Sequence, residues 1–92
     1  MNERDITRAI MDYLLLKGAW VFKVHGHLGQ KKGVPDILAC LQGRFIAIEV
    51  KRPGGKLSEY QEREIAAIER AGGRTIVARD VSDVMDLLEE DE

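Results

Sequence analysis

A mixed four-stranded α/β sheet flanked by helices, in the order αβββαβα, is the fold class that this 92-residue sequence predicts. Three observations predict it. Apolar residues recur at helical spacing near the start, after the middle and at the end of the chain. Two apolar runs meet at Gln42-Gly43 with the composition of a hairpin. Beyond the second helical stripe lies a β-branched run, Thr75-Ile76-Val77, which must return to the sheet by a crossover.

Each element has its own signals. Asn2 can cap a first helix, whose stripe is Ile6, Ile10, Tyr13 and Leu14 and whose end is Gly18. Ala19 to His25 reads as a first strand, with Trp20, Phe22 and Val24 on one face and Val21, Lys23 and His25 on the other. Gly26 to Gly33 is a basic, glycine-rich loop. Ile37 to Leu41 and Phe45 to Val50 are the hairpin strands, and Cys40 within them reads as a buried small hydrophobe. Pro53-Gly54-Gly55 breaks the third strand, and Ser58-Glu59-Tyr60-Gln61 is a capping box for the second helix, with Gln61, Ile65 and Ile68 on its inner face. Gly72-Gly73 ends that helix, Arg74 to Ala78 is the fourth strand, and Asp80 or Ser82 starts a last helix through Val81, Val84, Met85 and Leu88. Ninety-two residues make one domain, 1–92, with a modest core.

The hairpin turns spacing into chemistry. With the turn centred on residues 42 and 43, Leu41 faces Arg44 and Asp36 faces Glu49. Opposed residues of an antiparallel pair have Cβ atoms roughly 4.5–5.5 Å apart and share a face. Two carboxylates so placed repel each other and call for a cation. Lys51 lies on the same face, two residues past Glu49. An acid pair with an amine beside it matches what a hard divalent metal and a phosphodiester require.

Composition narrows the partners. The formal net charge of −2 hides a strong asymmetry. Residues 17–56 hold eight bases and two acids, a net of +6, and the two acids are Asp36 and Glu49. Residues 57–92 carry four bases and eleven acids. A basic segment whose only negative charges are the carboxylate pair suits a phosphate-facing surface. Lys23, His25, His27, Lys31, Lys32, Arg52 and Lys56 are its candidate nucleic-acid contacts. One cysteine and two histidines are too few ligands for a zinc site. No stretch reaches membrane-spanning length, and the charged start Asn2-Glu3-Arg4-Asp5 is no signal peptide, so a cytoplasmic setting without a membrane partner is expected.

Gly33-Val34-Pro35-Asp36 followed by Glu49-Val50-Lys51 resembles the active-site signature of the PD-(D/E)xK nuclease superfamily. With Glu3 on the first helix and Gln61 opening the second, the pattern is closest to its virus-type replication-repair nuclease (VRR-NUC) branch. The resemblance spans about Glu3 to Val77 and implies a restriction-endonuclease-like core. It also implies a Mg²⁺-dependent DNA endonuclease, with Mn²⁺ able to substitute and no organic cofactor, structure-selective in replication, repair or recombination, in a bacterial cell or phage-infected host. Asp36, Glu49 and the Val50 backbone carbonyl would bind metal. Glu3 would assist through a metal water, Lys51 would act on the water or the phosphate, and Gln61 would orient either. Two readings stand beside it: a non-catalytic nucleic-acid-binding subunit on the same fold, and an archaeal-type Holliday-junction resolvase. A homodimer is expected, because cutting two strands takes two sites; Met11 and Leu15, a turn apart on the first helix, are candidate contacts.

Overall fold

The computed structural model describes residues 2–26 and 31–90. The elements are α1 (Glu3–Leu16), β1 (Trp20–Lys23), β2 (Ile37–Leu41), β3 (Arg44–Val50), α2 (Glu59–Arg70), β4 (Arg74–Ala78) and α3 (Val81–Glu90). The order is the expected αβββαβα. The sheet runs β1-β2-β3-β4, antiparallel across its first two junctions and parallel between β3 and β4. The parallel pair is what α2 makes possible, because a chain that must re-enter beside β3 in the same direction needs a crossover.

Local chemistry sets the boundaries. The Asn2 side chain accepts a hydrogen bond from the Asp5 amide at 2.9 Å and starts α1. Ser58 and Gln61 close a full capping box at the start of α2, with the Gln61 amide donating to Ser58 Oγ at 3.2 Å and the Ser58 amide to Gln61 Oε1 at 2.8 Å. Asp80 takes the cap of α3: its Oδ2 accepts from the Ser82 amide at 3.1 Å and from the Ser82 hydroxyl at 2.6 Å. Ser82 itself lies inside the helix. Gln42 (φ 53°) and Gly43 (φ 81°) both adopt left-handed backbone, the conformation of a tight two-residue hairpin turn that follows the twist of its strands. That turn fixes the register as anticipated, pairing Leu41 with Arg44 and Ile37 with Ile48.

The core lies on one face of the sheet. Ile6, Ile10 and Leu14 of α1 and Val84 and Leu88 of α3 pack on Ile37, Ala39, Ile46, Ile48 and Val50. Leu87 joins them from α3 rather than Met85. On the other face α2 covers the β3–β4 side, where the Thr75 hydroxyl donates to Glu69 at 2.7 Å and Gly73 packs on Ile68 and Phe45. No α2 residue is fully buried. Among the described residues no helix covers the β1–β2 side of that face, and this reverses one expectation: Cys40 is exposed, because it points to the open face and not to the core.

Gly33 couples α2 to the hairpin. It sits at φ +83°, and a Cβ there would collide with the Tyr60 carbonyl and come within 2.8 Å of the Gln61 amide nitrogen. Only glycine lets the chain lie this close to the start of α2 just before Pro35-Asp36. Gly33→Ala should therefore cost roughly 2–3 kcal/mol from backbone strain and displaced packing, lowering the melting temperature by about 10 °C or more for a domain this small. Thermal unfolding checks this; an unchanged melting temperature would mean the loop is free to move off α2.

Candidate active site

The hairpin register carries Asp36 and Glu49 to one end of β2 and β3. Asp36 lies just before β2, where its carbonyl accepts from the Val24 amide at 2.8 Å and its Oδ2 accepts from the Val50 amide at 2.9 Å. That second bond ties the aspartate to the Glu49-Val50-Lys51 segment fourteen positions away in sequence. In an extended strand a residue's amide and carbonyl leave by the same edge, so Val50 turns both toward Asp36. The Lys51 amide points the other way, to the Ala78 carbonyl at 3.0 Å.

Glu49 is the one charged residue of the buried interior among the described residues, at 2% exposure. Its Oε1 is buried with no hydrogen-bond partner. Burial pushes its carboxyl up to about 8. A hydrogen bond with Asp36 and the Asp36 charge push the same way, Lys51 opposes them, and Glu3 adds to the rise. Two carboxylates in contact, one of them dry, cannot both ionise without a neighbouring cation. The orphaned oxygen and the all-oxygen donor set are what a hard divalent ion would satisfy.

Lys51 is half-buried and close enough to Glu49 to lower its pKa. Its stem passes Gly55, where a Cβ would lie 3.6 Å from Lys51 Cδ. Arg79, to which the sequence reading gave no role, holds that turn: its guanidinium donates to the carbonyls of Arg52 and Gly55, each at 2.9 Å. Both bonds go to backbone more than twenty positions away, so no side-chain pattern announces them.

Glu3 is exposed in the first turn of α1 and lines a cleft with Lys23, His25 and Asp36. Among the described residues no group of three His, Cys, Asp or Glu side chains is placed to hold a metal, so Glu3 stays at electrostatic range of the pair. Gln61 commits its Oε1 to the cap, which leaves its NH₂ as the group able to act on the site. Arg4 and Arg8 line the same cleft as Glu3 and Asp36. The sequence reading missed them because α1 carries no net positive charge; their i, i+4 spacing beside Glu3 was the available signal.

Lys31 and Lys32 border a second cleft with Asp36. Both are anchored to α2: Lys31 Nζ lies 3.1 Å from Glu64 Oε1, and Lys32 Nζ lies 5.1 Å from the Tyr60 ring centre. Lys23 donates to the Val24 carbonyl at 2.8 Å. Arg52 and Lys56 are exposed on the segment after Lys51. His27 lies outside the described residues.

The model of the VRR-NUC domain matches residues 14–82. The chain belongs to the VRR-NUC domain family. A solved VRR-NUC domain superposes with a TM-score of 0.81 at 26% identity, covering 95% of this chain and 94% of its own. Hjc of Archaeoglobus fulgidus, a Holliday junction resolvase, superposes with a TM-score of 0.63 at 25% identity, over 82% of this chain and 65% of its own. In sequence, the "Putative nuclease p44" of Acyrthosiphon pisum secondary endosymbiont phage 1 is 40% identical over 58 residues. That match takes in 60% of this VRR-NUC chain and 62% of the phage protein's length.

The raised Glu49 pKa makes a stability prediction for the metal-free protein. Between the ordinary carboxylate range and about 8 the folded chain holds a proton that the unfolded chain has lost. Stability is therefore greatest below that range and falls as pH rises through about 8, by an amount on the order of a few kcal/mol. Urea unfolding in chelator from pH 5 to 9 should show the fall in the wild type and a flatter profile in Glu49→Gln. Equal slopes in the two proteins would assign the dependence to another group.

Proposed function

We propose that this VRR-NUC chain is a divalent-metal-dependent DNA endonuclease, selective for branched or four-way junction DNA and working as a homodimer in replication, repair or recombination. Its setting would be the cytoplasm of a bacterial cell or phage-infected host. The observation that carries the reading is the Asp36–Glu49 pair, with its unpartnered buried oxygen and Lys51 beside it.

Asp36, Glu49 and the carbonyl of Val50 would hold Mg²⁺, or Mn²⁺ in its place, with Glu3 reaching it through a water. The bound ion would supply Lewis-acid polarisation of a phosphoryl oxygen and lower the pKa of a coordinated water. Lys51 would place its ammonium against the charge that grows on the scissile phosphate. Gln61 would donate its NH₂ to water or to a phosphate oxygen. Lys23, His25, His27, Lys31, Lys32, Arg52 and Lys56 would hold flanking phosphates, and Arg4 and Arg8 would extend that track along α1. No organic cofactor is needed. The likeness to a Holliday junction resolvase favours a four-way junction as the first substrate to try.

The test is a panel of labelled linear, flapped and four-way junction DNAs with Mg²⁺, Mn²⁺ or chelator. Metal-dependent cutting of branched substrates by the wild type, lost in Asp36→Ala and Glu49→Ala, is the expected result. Cleavage that survives in the double variant would overturn the assignment. Lys51→Ala should lower the saturated rate by about 10²–10³-fold while DNA still binds; a loss of affinity at unchanged rate would make Lys51 a binding contact alone. Neutralising Lys31 and Lys32 together should weaken binding to all DNAs alike and lessen the salt dependence by roughly one to two counterions. An unchanged salt slope would move the DNA path away from this loop.

A further inference from the structure

We infer that Arg79 is a positioning residue for the proposed reaction, holding the turn against which the Lys51 side chain lies. The inference rests on the nuclease reading and deepens it, since it names what aims the ammonium. β3 ends at Val50, and its ladder with β4 closes on the pair Val50–Ala78 and on the Lys51 amide, which donates to the Ala78 carbonyl at 3.0 Å. Past that bond the chain enters Arg52-Pro53-Gly54-Gly55, where Gly54 takes φ +83°. Adjacent glycines leave a backbone many conformations, so a contact from outside must select one. The turn's own bond, from the Gly55 amide to the Arg52 carbonyl at 3.0 Å, closes it without attaching it to the sheet. Arg79 makes that attachment. It follows Ala78 directly, and its Nη1 donates to the carbonyls of Arg52 and Gly55, each at 2.9 Å. Its own amide donates to Asp83 Oδ2 at 2.8 Å, which fixes its backbone on the first turn of α3.

The consequence for Lys51 is geometric. Its stem runs along the turn, with Cδ 3.6 Å from where a Cβ on Gly55 would lie, so the backbone at Gly55 forms one wall of its path. Lys51 is half-buried, and its charge reaches Glu49. Among the described residues no hydrogen bond or salt bridge holds its ammonium. A long flexible stem with an unbonded head is placed by its walls, and here one wall stands only where Arg79 pins it. Arginine suits the task, because its planar group presents donors at fixed angles, whereas an ammonium is a point charge on a mobile stem. A direct phosphate contact alone does not account for Nη1, which is turned to two backbone carbonyls. Small displacements matter at this position, since a misplacement of about 1 Å in a reacting group can cost on the order of 10²-fold in rate.

Saturated single-turnover rates with Mg²⁺, set beside DNA affinities in chelator, separate positioning from binding. Arg79→Ala should keep the far-ultraviolet circular dichroism and the DNA affinity of the wild type and cut about 10–10²-fold more slowly. Arg79→Lys keeps the charge without the fork and should also be slow; a wild-type rate there would overturn the inference. In a Lys51→Ala background Arg79→Ala should add little, because a residue acting through Lys51 has nothing left to place. The same factor in both backgrounds, or a loss of affinity at unchanged rate, would overturn it as well. A readout that needs no cleavage comes from Lys51 itself. Its methylene NMR signals, identified by their absence in Lys51→Arg, should move toward those of exposed lysines in Arg79→Ala, and unchanged signals would overturn the brace. A wild type that cuts no DNA with Mg²⁺ or Mn²⁺ would overturn the nuclease reading, and the Lys51 signals would still decide the brace by themselves.

Discussion

The arrangement of this domain turns on the contact between two carboxylates. Asp36 and Glu49 are brought together by a hairpin register and held by the Val50 amide, which donates to Asp36 at 2.9 Å. Left to itself the contact is unfavourable: Glu49 is dry, one of its oxygens has no partner, and its pKa is lifted to about 8. The rest of the fold supplies what keeps such a pair in place. The core on the α1–α3 side buries Ile48 and Val50 on either side of Glu49 in sequence, so the glutamate cannot turn outward without turning two core residues with it.

The neighbours of that pair are positioned by backbone rather than by side-chain matching. Gly33 lets the loop before Asp36 press on the first turn of α2, which also brings Gln61 to the same region. Arg79 ties the turn after Lys51 through two carbonyls, and its own amide donates to Asp83 at 2.8 Å in the first turn of α3. Thus α2 and α3, which hold none of the acidic groups of the proposed site, each fix one side of it. The cations divide in the same way. Lys31 and Lys32 are fastened to α2, whereas Arg4 and Arg8 line the cleft from α1.

The sheet has two apolar faces and only one complete cover. Among its described residues this 92-residue chain provides three helices, two of which are spent on the core face. α2 alone cannot span four strands, and the strand farthest from β4, β1, carries the exposed Trp20 and Phe22. The open face is a consequence of small size, because a domain of this length cannot lengthen its own cover.

Much was legible in the sequence because short-range rules govern it. The Gln42-Gly43 turn dictates the pairing of Leu41 with Arg44, and alternation then sets Asp36 against Glu49. The Asn2 cap, the Ser58–Gln61 capping box, the stripe Ile6–Ile10–Leu14 and the β-branched run of β4 are equally local. The sequence therefore determined the element order and the carboxylate pair. Only the tertiary structure decided which sheet face α2 leaves bare, and with it the exposure of Cys40, because alternation assigns residues to a face without saying what covers it. It alone decided that Arg79 braces the Lys51 turn and that Arg4 and Arg8 join the cleft. Those relations depend on how separate elements pack against one another, and no pattern within one element encodes that.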